Sequence, residues 1–194
     1  MKFKVSSGLN IAASTWGLES DPLVVLLHGG GQTRHAWGET GKKLSLNGFH
    51  VLAIDLRGHG DSDWHPDGEY GIENYKKDIV CILQELNKPA AFIGASLGGM
   101  TSLSIAGDSE LKELCWSLVM VDIGLYPNLE GSQEIVDFMH SGSEGFESVE
   151  EVAESVSNYL PHRKRPRDNR GLEKNLRLKD DGRYYWHWDP RFLD

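Results

Sequence analysis

The sequence predicts an α/β fold, a mostly parallel sheet flanked by helices, and three observations carry that reading. Leu23–Leu27 is a continuous apolar run, the pattern of a strand buried on both faces of a parallel sheet, and Phe49–Leu56 and Ala90–Ala95 read as further buried strands. Helical periodicity fills the intervals: Ile72, Tyr75, Ile79, Ile82, Leu83 and Leu86 form one apolar stripe. Strand and helix therefore alternate over the first two-thirds of the chain, as right-handed crossovers in an α/β sheet require.

The elements follow in order. Lys2–Ser6 and Asn10–Trp16 read as two short strands joined by a turn at Ser7-Gly8. The Leu23–Leu27 strand ends in His28-Gly29-Gly30-Gly31, a loop whose backbone is free of side-chain restriction. A helix over Trp37–Leu46 stops at Asn47-Gly48. The Phe49–Leu56 strand ends in Arg57-Gly58-His59-Gly60-Asp61-Ser62, and Pro89 follows the helix containing Ile72 and Leu86. After the Ala90–Ala95 strand a helix runs from Leu97 to about Leu114, and Ser117–Val121 is the last buried strand expected, ending at Asp122. Beyond Gly124 the texture changes. Gln133–His140, Ser148–Leu160 and Asp168–Leu178 read as helices, Pro161–Arg167 is basic and proline-bounded, and Tyr184–Pro190 is an aromatic tail. The division expected is a core over 1–124 and a helical lid over 125–194.

Composition narrows the function classes. The 194 residues fit one domain with a small appendage, and 39% hydrophobic with 25% charged residues is ordinary for a globular chain. The net charge of −9 argues against nucleic acid or an anionic membrane as partner. No apolar run approaches the roughly 18 residues of a membrane span, and Met1–Val5 leads into no signal-peptide core. Cys81 and Cys115 read as buried free thiols, which suits a reducing, cytoplasmic setting. The histidines and cysteines lack metal-ligand spacing, so neither metal nor cofactor is expected.

The chemistry centres on Gly94-Ala95-Ser96-Leu97-Gly98, placed where a buried strand turns into a helix. A serine on such a sharp turn is exposed as a nucleophile, and glycines two residues to either side make room for the neighbouring backbone. Taken with His28-Gly29-Gly30-Gly31 and Arg57-Gly58-His59-Gly60-Asp61-Ser62, in this order and spacing, the chain resembles the α/β-hydrolase superfamily. The likeness is to its lid-bearing branch of esterases, cofactor-free haloperoxidase-like enzymes and carbon–carbon bond hydrolases. The resemblance implies about six of the usual eight strands, and attack by Ser96 on a small ester-like carbonyl substrate. It assigns the oxyanion to two backbone donors, the N–H groups of Leu97 and Gly30. Serine rather than aspartate at the elbow sets the epoxide hydrolase and dehalogenase chemistries aside.

The resemblance also implies a triad in the order nucleophile, acid, histidine, and here the chain departs from it. His140, His162 and His187 follow Ser96, but none lies on a loop after a buried strand. His28 belongs to the oxyanion loop, His59 to a structural turn, and His35, His50 and His65 have no catalytic case. Asp122 has two readings: it is the triad acid, or a strand-end aspartate satisfying local backbone. The expectation is an esterase-like serine hydrolase impaired in this chain. The alternatives are a non-catalytic binding module on the same scaffold and an enzyme completed in trans, since an incomplete sheet leaves an edge open to self-association. The run His162–Arg167 reads as a solvated loop or an anion attractor. The tail aromatics, with Phe138, Met139 and Phe146, read as lid core or as the lining of a pocket.

Overall fold

The computed structural model describes residues 1–124, 129–162 and 168–193. Strands β1 (Lys2–Lys4), β2 (Asn10–Trp16), β3 (Leu23–Leu27), β4 (His50–Ile54), β5 (Ala90–Ala95) and β6 (Cys115–Val121) form one sheet in the order β1-β2-β4-β3-β5-β6. The first two pairings are antiparallel and the remaining three parallel. Every residue of β3 and β4 is buried, His50 at the start of β4 included, as the apolar sequences Leu23–Leu27 and Val51–Ile54 require. Helices α1 (Gly38–Ser45), α2 (Ile72–Leu86) and α3 (Leu97–Ala106) connect the parallel strands. The stripe read on α2 is the buried one: Tyr75, Ile79, Ile82 and Leu83 enter the main core with Phe92 and Ile105.

Several expectations change. The first helical segment begins as a 3-10 turn, Arg34–Trp37, before α1. The helix expected from Leu97 to Leu114 stops at Ala106, because Gly107 is a poor helix former and Asp108 turns its carboxylate onto the Glu110 N–H at 2.9 Å. Strand β6 is not buried: Trp116, Val119 and Val121 are 52%, 48% and 37% exposed. Its sequence suits an inner strand, but among the described residues it pairs with β5 alone. Cys115, on this edge, and Cys81 are free and half-buried rather than buried.

Helices α4 (Leu129–His140) and α5 (Val149–Tyr159) lie close to the expected ranges, with the Ser148 Oγ capping α5 by accepting the Glu151 N–H. The helix expected over Asp168–Leu178 is reduced to α6 (Arg170–Glu173). It gives way to a hairpin of β7 (Leu176–Leu178) and β8 (Tyr184–Trp186), which closes through Gly182 at φ 78°. Phe146, Val152 and Leu176 form a small second core with Trp186 against it. The basic residues 163–167 lie outside the described residues.

Buried polar contacts hold the segments that follow β3 and β4. Asp55, fully buried after β4, accepts the Arg34 N–H at 2.6 Å and the Asp61 N–H at 2.9 Å, and pairs with the Arg34 guanidinium. Arg57 and Asp78 form a two-pronged buried pair, both contacts at 2.6 Å. His28 bonds the Gly29 carbonyl through Nδ1 at 2.8 Å and the Leu56 N–H through Nε2 at 3.0 Å. His59 likewise bonds the Arg57 carbonyl through Nδ1 and the Gly31 N–H through Nε2. Both rings must be neutral, with the proton on Nδ1, because each Nε2 accepts. Burial is the main cause that pushes His28 down to about 4 and His59 down to about 3, and a positive charge is further disfavoured on His28 by Arg34 and on both neighbouring rings at once.

Two predictions follow from this packing. A Cβ on Gly98 would meet the Leu27 backbone, which cannot move, so Gly98→Ala should lower stability in urea by about 1–3 kcal/mol. Gly38→Ala, where a Cβ meets nothing within 4 Å, should cost nothing. Second, an unfolded histidine titrates near 6.5. Between that value and about 4 the unfolded chain binds more protons at His28 and His59 than the folded chain does. Stability therefore rises with pH across this window and is lost as pH falls through it. The interval from pH 6.5 to 5 lies above ordinary carboxylate titration, so urea midpoints should already fall there. A flat profile would contradict the neutral buried rings.

Candidate active site

Ser96 joins β5 to α3 with no intervening loop, at φ 44° and ψ −111°. Positive φ is unfavourable for a residue with a side chain. The neighbouring backbone imposes it. A Cβ on Gly94 would strike the Gly98 carbonyl, so the strand and the helix start touch directly. The Ser96 N–H donates to the Val121 carbonyl at 3.2 Å and the Gly98 N–H to the His28 carbonyl at 3.1 Å. The turn is thereby tied to the ends of β6 and β3. The Ser96 side chain stays partly exposed, and its hydroxyl has no hydrogen-bond partner among the described residues. Leu97 is the first residue of α3, so its N–H has no acceptor within the helix.

The loop after β3 lies against this turn: a Cβ on Gly29 would sit 3.5 Å from the Ser96 Cβ. Its three amides differ. The Gly29 N–H donates to Gln32 Oε1 and the Gly31 N–H to His59 Nε2, both at 3.2 Å. The Gly30 N–H, between them, meets no acceptor among the described residues. Ser96, Leu97 and the Gly29–Gly31 loop are thus brought together.

Asp122 ends β6 at φ 54°, exposed, and its carboxylate has no partner among the described residues. It follows Val121, the residue whose carbonyl takes the Ser96 N–H. No histidine joins them. Both nitrogens of His28 and of His59 are occupied elsewhere. His187 lies 4.0 Å from Asp61, His50 bonds Thr15, His65 faces Glu69, and none of the eight histidines bonds to Ser96 or Asp122. Among the described residues no group of three or more His, Cys, Asp or Glu side chains is placed to hold a metal ion.

Reading the sequence missed what covers the loop. The Phe192 ring lies on Gly30, where a Cβ would come within 3.0 Å of its Cζ, and packs edge-on to His59 at 4.9 Å. Met139 and Trp188 cover Gly31. The tail that delivers Trp188 and Phe192 is bonded to the core: Gly60 N–H to the His187 carbonyl, Asp189 N–H to the Gly58 carbonyl, both at 2.7 Å, and Tyr70 hydroxyl to Asp189 at 2.5 Å. The only sequence signal was the aromatic run itself, which has no periodicity to say where it docks.

Comparison with known proteins fits this geometry. Residues 22–164 match the α/β hydrolase fold family. An esterase of Mycobacterium tuberculosis is 36% identical over 186 residues, covering 92% of this chain and 60% of the esterase. A probable protein phosphatase methylesterase 1 of Caenorhabditis elegans is 29% identical over 136 residues, covering 68% of this chain and 37% of that protein. An α/β hydrolase from Novosphingobium aromaticivorans superposes with a TM-score of 0.86 at 23% identity, over 99% of this chain and 68% of its own. The chain thus spans between about a third and 60% of the length of such curated relatives. With the family matched over most of its length and the strand–turn–helix geometry in place, the chain belongs to the α/β-hydrolase family.

Proposed function

We propose that this chain carries the nucleophile and the oxyanion donors of an esterase-like serine hydrolase. The observation that carries the reading is Ser96 itself, a half-exposed serine at positive φ on a strand-to-helix turn. The hydroxyl attacks the carbonyl carbon of a small ester. The developing oxyanion is held by the Leu97 N–H and the Gly30 N–H, neither of which meets an acceptor among the described residues. Each such donor contributes about 2.7–4 kcal/mol to the transition state. The esterase and the methylesterase among its relatives support an ester as the bond attacked. Residues 125–194 act as the lid over this site, Asp122 is the candidate acid, and the two free cysteines favour a cytoplasmic setting. Among the described residues no helix is long and apolar enough to cross a membrane.

No histidine of the chain bonds to Ser96, so on this reading the proton acceptor belongs to a segment beyond these 194 residues and the chain alone turns over poorly. Loss of the base from such a triad costs up to roughly 10⁶-fold in turnover. A second reading, completion of the site in trans, is favoured by one observation, the exposed apolar edge of β6. A non-catalytic binding role is the third, and the tightly packed elbow glycines argue for an enzyme over it, because a decayed site has no need of them.

A fluorophosphonate probe should label the isolated chain slowly, at Ser96 and not in Ser96→Ala. Labelling at another residue would overturn the nucleophile, and rapid stoichiometric labelling would overturn the missing base. If completion occurs in trans, the labelling rate should rise with protein concentration, and Val119→Lys, a charge on the open edge, should abolish the rise. A rate independent of concentration in a monodisperse monomer removes that reading.

A further inference from the structure

We infer that the seam between the C-terminal hairpin, the end of α4 and Trp64 is a binding site for a small planar organic anion of the arylcarboxylate class. A cavity of about 80 Å³ opens there, beside the loop at Gly31 and outside the Ser96 turn. Its walls are the rings of Trp64, Tyr185, Trp186 and Trp188, so three of the chain's six tryptophans converge on one small space. Aromatic walls of this kind favour a flat ring, which stacks or meets them edge-on. The cavity suits a single ring and not a long acyl chain.

The charge of the lining chooses among flat ligands. The protein carries a net charge of −9, yet among the described residues no carboxylate lines this cavity, while Arg177 and Lys179 both do. Lys179 is held in place with its Nζ 3.7 Å from the centre of the Tyr185 ring. Arg177 is exposed on β7, with no ion pair or hydrogen bond to a described residue. The far wall is shared with the loop near Ser96. A Cβ on Gly31 would lie 3.0 Å from the Met139 Cε and 3.7 Å from the Trp188 Nε1. Binding needs no reaction at Ser96, so the inference stands or falls separately from the proposed hydrolysis.

The test uses the indole N–H signals of the ¹⁵N-labelled chain, titrated with benzoate, benzyl alcohol and benzylammonium. Benzoate should shift the Trp64, Trp186 and Trp188 signals saturably and leave Trp16, Trp37 and Trp116 in place. Benzyl alcohol should bind at least about threefold more weakly and benzylammonium weaker still, the scale of one exposed charge contact. Arg177→Gln, at an exposed position where the fold is retained, should weaken benzoate by about the same factor and leave benzyl alcohol unchanged. No saturable shift, a shift spread over all six indoles, equal binding of the alcohol, or an unchanged benzoate affinity in Arg177→Gln would each overturn the inference.

Discussion

The structure depends on a steric pinch at the end of β5. Gly94 and Gly98 bring the strand and the first turn of α3 into backbone contact, and Gly98 also touches the carbonyl of Leu27 in β3. Three segments are thereby locked within a few ångströms, and Ser96 has no alternative to positive φ. A serine in this state costs about 1–3 kcal/mol that the surrounding packing must offset. The offset comes from the buried strands β3 and β4, whose side chains are almost wholly removed from water. Strain at one residue and a densely packed sheet are two parts of a single arrangement.

The second constraint is electrostatic and lies in the turn after β4. Asp55 accepts backbone N–H groups from two loops, Arg57 locks onto Asp78, and His28 and His59 fasten the glycine loop to this turn. The C-terminal tail docks on the same turn through Gly58 and Gly60. With the Gly31 N–H taken by His59 and the Gly29 N–H by Gln32, the Gly30 N–H is the one of the three that meets no acceptor among the described residues. Which of the three loop amides are occupied is thus set by side chains on two different segments. Burial keeps both imidazoles neutral, and only a neutral ring can accept at Nε2.

Much of this was legible in the sequence. Predominantly apolar runs identified β3, β4 and β5, and the stripe on α2 identified its buried face, because burial on two faces or on one leaves different periodicities. Gly94, Ser96 and Gly98 announced the turn. Other features were hidden for physical reasons. Exposure of β6 depends on whether a neighbour is present, which its own residues do not state. The break at Gly107 and the hairpin at Leu176–Trp186 turn on local competition by Asp108 and by the Asp180-Asp181-Gly182 turn, against stretches of otherwise helical pattern. Phe192 on Gly30 and Trp188 on Gly31 are long-range contacts, and composition placed aromatics in the tail without saying what they cover.

The most direct measurement compares the stabilities of Ser96→Gly and Ser96→Ala in urea. Both lack the hydroxyl, and only alanine retains the side-chain penalty at φ 44°. If the pinch forces the backbone at this position, the glycine variant should be the more stable by about 1 kcal/mol or more. Equal stabilities, or a more stable alanine variant, would mean that residue 96 is not held in the strained state from which the rest of the site is built.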